Sequence, residues 1–259
     1  KMNFMDFFRY QGKPGIFFAV QIGAVTSSLY LYFVFREHKV KTKLLPEEKV
    51  LSWIPTLLLL ASIMALAGTS FFDKEFTYLA GLICMLFAVA AIIWDRATNQ
   101  EEFWINMKKL DWDTTFFLFG VFIIVYSLTE TGWIDQISAF LSARIGGNVL
   151  LGYLLLLIVS IIVSGFVDNV PFLAAMLPVA LDMSHKLNIN PAIFLFGLLL
   201  GASLGGNITP IGASANIVAC GMLKKDGHPI TFGQFMKVSV PFTIAAVVPA
   251  AIFVWFMWA

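Results

Sequence analysis

The stretch GASLGGNITPIGASAN, residues 201–216, decides the fold of this chain because it lies inside an apolar segment of membrane-spanning length. Glycines, Pro210 and small polar side chains interrupt the predicted helix about halfway along. In lipid, freed backbone groups cannot bond to water, so such a break persists only where protein or a wet cavity satisfies it. Secondary transporters use broken helices of this kind to hold solutes and coupling ions near the membrane midplane.

A second interruption, GFVDNVP at residues 165–171, lies in the preceding apolar segment and places a carboxylate at membrane depth. Residues 149–164 and 171–183 are each too short for a comfortable full span. We therefore interpret them as the two arms of a re-entrant hairpin whose tip lies inside the membrane. Residues 191–223 then form a discontinuous span with its break at 205–212.

The composition predicts an integral membrane protein with several spans. The chain is 59% hydrophobic and 13% charged, with a mean hydropathy of +0.84, whereas soluble domains are about half apolar and a quarter charged. A net charge of +1 excludes the basic field of a nucleic-acid binder. No phosphate-binding loop, zinc-ligand spacing or dinucleotide fingerprint is present, so we expect neither an enzyme nor a cofactor beyond a coupling ion, H⁺ or Na⁺.

The fold class predicted is an all-α polytopic membrane protein with inverted repeats, a re-entrant hairpin and a discontinuous helix. Two segments that mix charged and apolar residues, 97–110 and 134–145, are predicted to be interfacial helices. The apolar windows long enough to cross the membrane are 14–35, 50–70, 76–94, 114–131 and 236–258.

The Lys and Arg distribution predicts the orientation. With a re-entrant hairpin, eleven of the 17 Lys and Arg residues fall on one face, which we expect to be cytoplasmic. The C-terminus is then outside, in the inner membrane of a bacterial or archaeal cell. If the hairpin crossed fully, this bias would weaken.

An internal echo predicts two repeats of inverted topology. Residues 4–35 and 232–258 both run from Phe-x-x-Phe through a proline into a long apolar span, although such entrances also arise by coincidence. We expect the chain to begin inside a first repeat. Four divisions are predicted. Residues 1–48 contain the last span of that repeat and a linker, and residues 49–148 contain scaffold spans and interfacial helices. Residues 149–231 contain the transport elements, and residues 232–259 form the final span.

At the predicted hairpin tip, Asp168 is the candidate coupling residue. An ionised Asp in the membrane costs roughly 2.5–3.5 kcal/mol, so it usually faces water or a partner. Asp168 and Asn169 together offer oxygen ligands for Na⁺, or Asp168 alone carries a proton. The alternative is that Asp168 caps the second arm as an N-cap, which is compatible with ion binding.

At the break, Gly205, Gly206 and Gly212 allow the backbone to leave helical geometry. The freed carbonyls suit a cation, and the freed amides suit an anion or a polar oxygen. The alternative is a small-residue packing device. We predict that the tip and the break share one polar cavity, since each is costly alone in hydrocarbon. The neutral oxygens of the break come from Asn207, Thr209, Ser214 and Asn216.

Other polar residues nearby are given structural or surface roles. Ser160 and Ser164 are spaced one helical turn apart and are expected to bond local carbonyls. Asp182 and His185 are expected to be solvated or interfacial.

The two motifs resemble the arsenite permease, sodium/proton antiporter and P-protein branch of the ion transporter superfamily. The stretch DWDTTFFLFG, residues 111–120, is similar to a segment that opens a span in that branch. The resemblance covers roughly 50–258 and implies a scaffold domain, a mobile transport domain and a homodimer. By position, Asp168 and Asn169 would be the second tip. The tip reads Asp-Asn-Val rather than the Ser-Asn-Thr of related dicarboxylate carriers, which argues against a dicarboxylate carrier and favours a carboxylate-based coupling site.

Taken together, these patterns predict a secondary active transporter of a small inorganic ion or oxyanion, coupled to H⁺ or Na⁺, with arsenite or antimonite efflux first. The alternatives are a Na⁺/H⁺ antiporter, a citrate or dicarboxylate transporter, and a non-transporting membrane module that needs a partner chain. The expected partners are membrane lipid and a second copy, and a separate ATPase subunit is compatible with the sequence.

Overall fold

The computed structural model describes residues 4–37, 52–72, 78–99, 108 and 112–259. Within these ranges the regular secondary structure is helical, apart from a short antiparallel ribbon that pairs β1 (Arg9–Tyr10) with β2 (Lys13–Pro14). A 3₁₀ turn, Phe4–Phe7, precedes the ribbon. The prediction of an all-α polytopic membrane protein is therefore confirmed, while the inverted repeat stays a prediction.

Ten helices lie within the described residues, and we number them in chain order. The first five are α1 (Ile16–Phe35), α2 (Ile54–Phe72), α3 (Leu79–Asn99), α4 (Trp112–Glu130) and α5 (Trp133–Ile145). The remaining five are α6 (Val149–Ser164), α7 (Asn169–Lys186), α8 (Ala192–Gly205), α9 (Ser214–Lys225) and α10 (Phe232–Trp258).

The predicted spans correspond to observed helices. Of the described helices, α1, α10 and the Leu79–Thr98 part of α3 are long and apolar enough to cross a membrane. Residues Thr115–Glu130 and α5 add a fourth span if the two are counted as one bent unit. The apolar part of α2, Ile54–Thr69, is shorter. The predicted span 50–70 therefore exists as a helix that begins and ends slightly later.

The predicted segment 134–145 is the separate helix α5. The chain bends by 71° between Thr115–Glu130 and α5. Gly132 provides the turn with a φ of 75°, which favours glycine. An interfacial location for α5 stays a prediction. The other predicted interfacial segment, 97–110, lies mostly outside the described residues, as do Asp111 and most of the basic loop 36–49.

The chain divides into two compact units. One contains the described residues within 1–15 and 38–115, and the other contains 16–37 and 116–259. The second unit holds both interruptions predicted from the sequence. Its buried side chains come mainly from α6, α8 and α10, including Tyr153, Phe194 and Val254.

Small residues allow α6 and α8 to pack closely. A Cβ atom added at Gly201 would lie 2.6 Å from the Leu157 carbonyl oxygen, and one at Gly205 would lie 2.6 Å from that of Ile161. These glycines are four residues apart and therefore share one face of α8. The glycines therefore also serve close helix packing, which was the alternative considered for them. This packing brings the first arm, α6, into contact with the broken helix.

The last helix completes this core. Tyr153 of α6 donates a hydrogen bond to the Ala251 carbonyl of α10 at 2.9 Å. On α1, Thr26 donates to the Ala245 carbonyl at 2.6 Å. Close packing between α1 and α10 occurs at Gly23, where a Cβ atom would lie 2.7 Å from the Ala246 carbonyl oxygen. The helices α1, α6, α8 and α10 therefore form the frame that positions the two interruptions.

Candidate functional site

The turn between the two predicted arms is the first part of the site. Helix α6 ends at Ser164, and the chain turns through 165–168 before α7 begins at Asn169. The exposed Asp168 caps α7, because its Oδ1 accepts a hydrogen bond from the Val170 amide at 3.2 Å. A carboxylate has acceptor capacity beyond one such bond, so this cap leaves ion binding open to it.

Ser164 is a buried residue of the tip whose role the sequence did not indicate. Its hydroxyl is within hydrogen-bond contact of Oδ1 of Asn169 and of the Ala202 carbonyl on α8. The expectation that Ser164 bonds a local carbonyl is therefore wrong, whereas Ser160 does donate to the Leu156 carbonyl, at 2.5 Å. Helical spacing reports which residues share a face, but not that Ser164 faces two other elements at once.

The break between α8 and α9 is the second part of the site. Backbone turns continue past Gly205. The Asn207 amide donates a hydrogen bond to the Leu204 carbonyl at 3.2 Å, and the Ile208 amide donates to the Gly205 carbonyl at 3.0 Å. Helix α9 then begins at Ser214, and its N-cap residue makes no side-chain cap. The predicted discontinuity at 205–212 is therefore confirmed.

Side chains satisfy several of the carbonyl groups that the break frees. The Asn216 amide nitrogen donates to the carbonyls of Gly206 and Thr209, both at 3.0 Å. Ser239 of α10 donates to the Ile208 carbonyl at 2.6 Å. Protein donors therefore bond these three carbonyls, while cation binding at the break stays a prediction.

The tip and the break meet through Thr209 and Gly165. Thr209 is fully buried and donates to the Gly165 carbonyl. A Cβ atom at Gly212 would lie 2.8 Å from the same carbonyl oxygen. On the adjacent side, a Cβ atom at Gly206 would lie 3.4 Å from Oδ1 of Asn169. Asn169, Gly206, Thr209 and Gly212 thus come together as one cluster.

The remaining predicted residues lie around this cluster. Asn207 and Asn216 line a cavity of about 850 Å³ on the side of α1 and α10. Ser214 is exposed at the start of α9. Gly205 packs against Ile161 and serves the helix contact. The contacts between tip and break are therefore made by Asn169 and Gly165, while the observed bond of Asp168 lies within its own helix.

An ion pair and hydrogen bonds connect the C-terminal end of α7 to α5. Asp182 forms an ion pair with Lys186 at 2.6 Å and accepts a hydrogen bond from the buried Ser138 of α5. Lys186 also donates to Ser138 at 2.6 Å and to the Asp135 carbonyl at 3.0 Å. Asp182 is partly buried rather than simply solvated. The sequence did not indicate the contact with Ser138, because that residue lies 44 positions from Asp182 in the chain.

No group of three or more His, Cys, Asp or Glu side chains that could hold a metal ion occurs among the described residues. A site for Na⁺ built from Asp168 and Asn169 stays a prediction.

Comparison with known proteins gives a family match over nearly the whole chain. The family described as citrate transporter (CitMHS) matches residues 2–185 and 81–259. No solved structure matches the chain.

Individual relatives agree with this match. An uncharacterized transporter of Mycobacterium tuberculosis is 34% identical over 176 residues, which is 67% of this chain and 40% of the relative. The 46 kDa membrane protein of Mycobacterium leprae is 33% identical over the same shares. The P protein of Mus musculus is 32% identical over 168 residues, 62% of this chain and 20% of that protein. The chain therefore spans less than half the length of these relatives.

These matches confirm the resemblance to the P-protein branch that the two motifs carry. The family and the mycobacterial relative are described as transporters rather than enzymes. The apolar helices and the family agree that this is an integral membrane protein. The chain belongs to the CitMHS citrate transporter family of membrane proteins.

Proposed function

We propose that residues 149–231 form one half of the transport site of a secondary active transporter driven by H⁺ or Na⁺. The observation that carries this proposal is the bond from Thr209 to Gly165, which joins the tip to the break of a discontinuous helix. Broken helices in transporters hold solutes at such places, and the second half comes from another repeat. The face with Lys224 and Lys225 is cytoplasmic in this proposal.

The polar groups available to a solute are mostly neutral donors. Asn216, Thr209 and Ser239 already occupy carbonyls of the tip and the break. The amide of Asn169, the Asn207 side chain and the N-terminal amides of α9 remain near the cluster. Such groups suit the oxygen atoms of a small solute better than they suit a bare cation. We assign the coupling role to Asp168, which is the one ionisable residue in 165–171 and 201–216.

Arsenite is the first candidate solute. Arsenous acid is uncharged at neutral pH and presents hydroxyl groups, so it needs hydrogen bonds but no opposite charge. The two motif stretches contain no Lys or Arg, and an unpaired anion away from water is costly. Citrate is the second candidate, because the matching family is described as a citrate transporter and helix N-termini attract carboxylates.

Flux measurements on the full-length protein in proteoliposomes test this proposal. The panel contains arsenite, antimonite, citrate and Na⁺, each measured with and without an imposed H⁺ or Na⁺ gradient. We expect gradient-dependent movement of arsenite and antimonite. Citrate movement alone would support the second candidate, and gradient-driven Na⁺ movement alone would support Na⁺/H⁺ antiport. Absence of movement for all four solutes would contradict the proposal and favour a module that needs a partner chain.

A further inference from the structure

A cavity in the second unit opens beside the break. Its volume is about 850 Å³, which lies within the usual range for sites that admit small molecules. One end is bordered by the loop residues 227–230, which follow Lys224 and Lys225 in the chain. The walls are apolar side chains of α1 and α10, namely Leu31, Phe35, Phe235, Val238 and Phe242.

The inner end of this cavity is the break itself. Asn207 and Asn216 line it, and Asn216 holds the Gly206 and Thr209 carbonyls. Ser239, which also lines the cavity, holds the Ile208 carbonyl. A Cβ atom at Gly206 would lie 3.4 Å from Oδ1 of Asn169, and Thr209 donates to the Gly165 carbonyl. The break that borders the cavity is therefore also in contact with the hairpin tip.

Polar groups at both ends favour water as the filling of this cavity. Asn207 and Asn216 lie at the inner end, and His228 and Gln234 lie near the loop. Asn216 already donates to the Gly206 and Thr209 carbonyls, and Gln234 accepts from the Thr231 amide. The side chains without a partner among the described residues are therefore Asn207 and His228, and an amide or imidazole that faces hydrocarbon without a partner costs roughly 2–7 kcal/mol. Water removes that cost. A lipid chain in the same space would leave it in place.

A second cavity on α10 provides a contrast. Its volume is about 340 Å³, and its lining is aliphatic except for Thr243. The Thr243 hydroxyl donates to the Ser239 carbonyl in its own helix at 2.8 Å, so it has no need of water. Val238 lines the larger cavity and Val240 lines this one. Two valines of one helix, two positions apart, thus face spaces of opposite character.

We infer that the larger cavity is a water-filled passage through which the solute reaches the break from the face that carries Lys224 and Lys225. Its apolar walls bind a small polar solute weakly, which lets the solute pass inward and leave again. Asn207 and Asn216 provide the hydrogen bonds at the end of the passage. This inference rests on the proposed transport function, and it adds the route and the side of entry.

Cysteine labelling of the full-length protein in membrane vesicles tests this passage without a flux measurement. Val238→Cys and Val240→Cys are each made in a background in which every native cysteine of the full-length protein, including Cys84 and Cys220, is replaced by Ser. A membrane-impermeant maleimide is then applied to inside-out and to right-side-out vesicles. We expect Val238→Cys to react from the cytoplasmic side about tenfold faster than Val240→Cys, since each unit rise in thiol pKa out of water lowers the thiolate fraction tenfold.

Three results would overturn the inference: equal rates at the two positions, no reaction at Val238→Cys, or faster reaction from the outer side. If Val238→Cys reacts as expected but no solute of the panel moves in the flux measurement, the passage is retained and the transport proposal is rejected. Flux with no reaction at Val238→Cys would reject the passage and retain transport.

Discussion

The buried hydroxyl of Thr209 donates its proton to the carbonyl of Gly165, and this bond joins the discontinuous helix to the turn between the two arms. The two residues are 44 positions apart. A buried carbonyl or hydroxyl group without a hydrogen-bond partner is costly. Thr209 also accepts a bond from the Ile211 amide at 3.3 Å, so one side chain organises both the break and its contact with the tip.

Replacing Thr209 with Val should destabilise the protein by about 1–3 kcal/mol, because the Gly165 carbonyl keeps its shape-matched neighbour but loses its donor. Thr209→Ser should lose less, because the hydroxyl remains. Thermal unfolding in detergent measures both. The control is Thr243→Val, whose hydroxyl bonds a carbonyl within its own helix. Equal losses at 209 and 243 would contradict the assigned role of the Thr209 hydroxyl.

Replacing Gly212 with Ala should also be disruptive. The added Cβ atom would lie 2.6 Å from the Gly206 carbonyl oxygen and 2.8 Å from that of Gly165, and both are backbone atoms. We expect a loss of about 1–3 kcal/mol from overpacking, measured by the same unfolding assay. Gly221→Ala in α9 is the control, since nothing lies within 4 Å of its added Cβ. A neutral Gly212→Ala would show that the tip and the break separate easily.

Replacing Asn216 with Asp should cost more than replacing it with Ala at neutral pH. Asn216→Ala removes two donors, and water from the cavity replaces them at a cost of about 1 kcal/mol. Asn216→Asp places a carboxylate against two carbonyl oxygens. The control is Asn148→Asp, because the Asn148 side chain accepts a bond from the Leu151 amide, and Asp caps equally well. Unfolding temperatures of the four proteins, including wild type, provide the measurement. An Asn216→Asp protein as stable as wild type would rule out the observed donor role.

Replacing Asp168 with Asn should preserve folding and abolish the dependence of flux on pH or Na⁺. Asn caps a helix as Asp does, but it carries no titratable charge. Flux in proteoliposomes, measured with and without an imposed H⁺ or Na⁺ gradient, is the measurement. Asp168→Ala is the companion variant, which loses the cap as well as the charge. An unchanged pH and Na⁺ dependence in Asp168→Asn would leave Asp168 as a helix cap alone.

The re-entrant path of α6 and α7 can be tested by labelling from the two faces of the membrane. Cysteines replace Val149 at the start of the first arm and His185 near the end of the second, in the background without native cysteines. Both should react with an impermeant maleimide from the outer face. Reaction from opposite faces would show that the segment crosses the membrane completely. It would also reverse the predicted orientation of every later segment.

The sequence determined where the helices stop. The close grouping of Gly205, Gly206, Pro210 and Gly212 disfavours a continuous helix in this apolar segment, because glycine lacks helical preference and proline lacks the amide proton. The same local chemistry placed the turn after Ser164 and the cap at Asp168. Such features depend on residues a few positions apart, so they can be predicted from the chain alone.

Only the tertiary structure decided which partner each freed polar group meets. Thr209 faces Gly165, Ser164 faces Asn169 and Ala202, and Asn216 turns its amide to its own break while lining a cavity. These partners follow from the close packing of α6 on α8 at Gly201. A shift of that contact by one helical turn would change every pairing without changing any local preference. Hydrogen bonds act over about 3 Å, so their partners are determined by packing across helices rather than by local sequence.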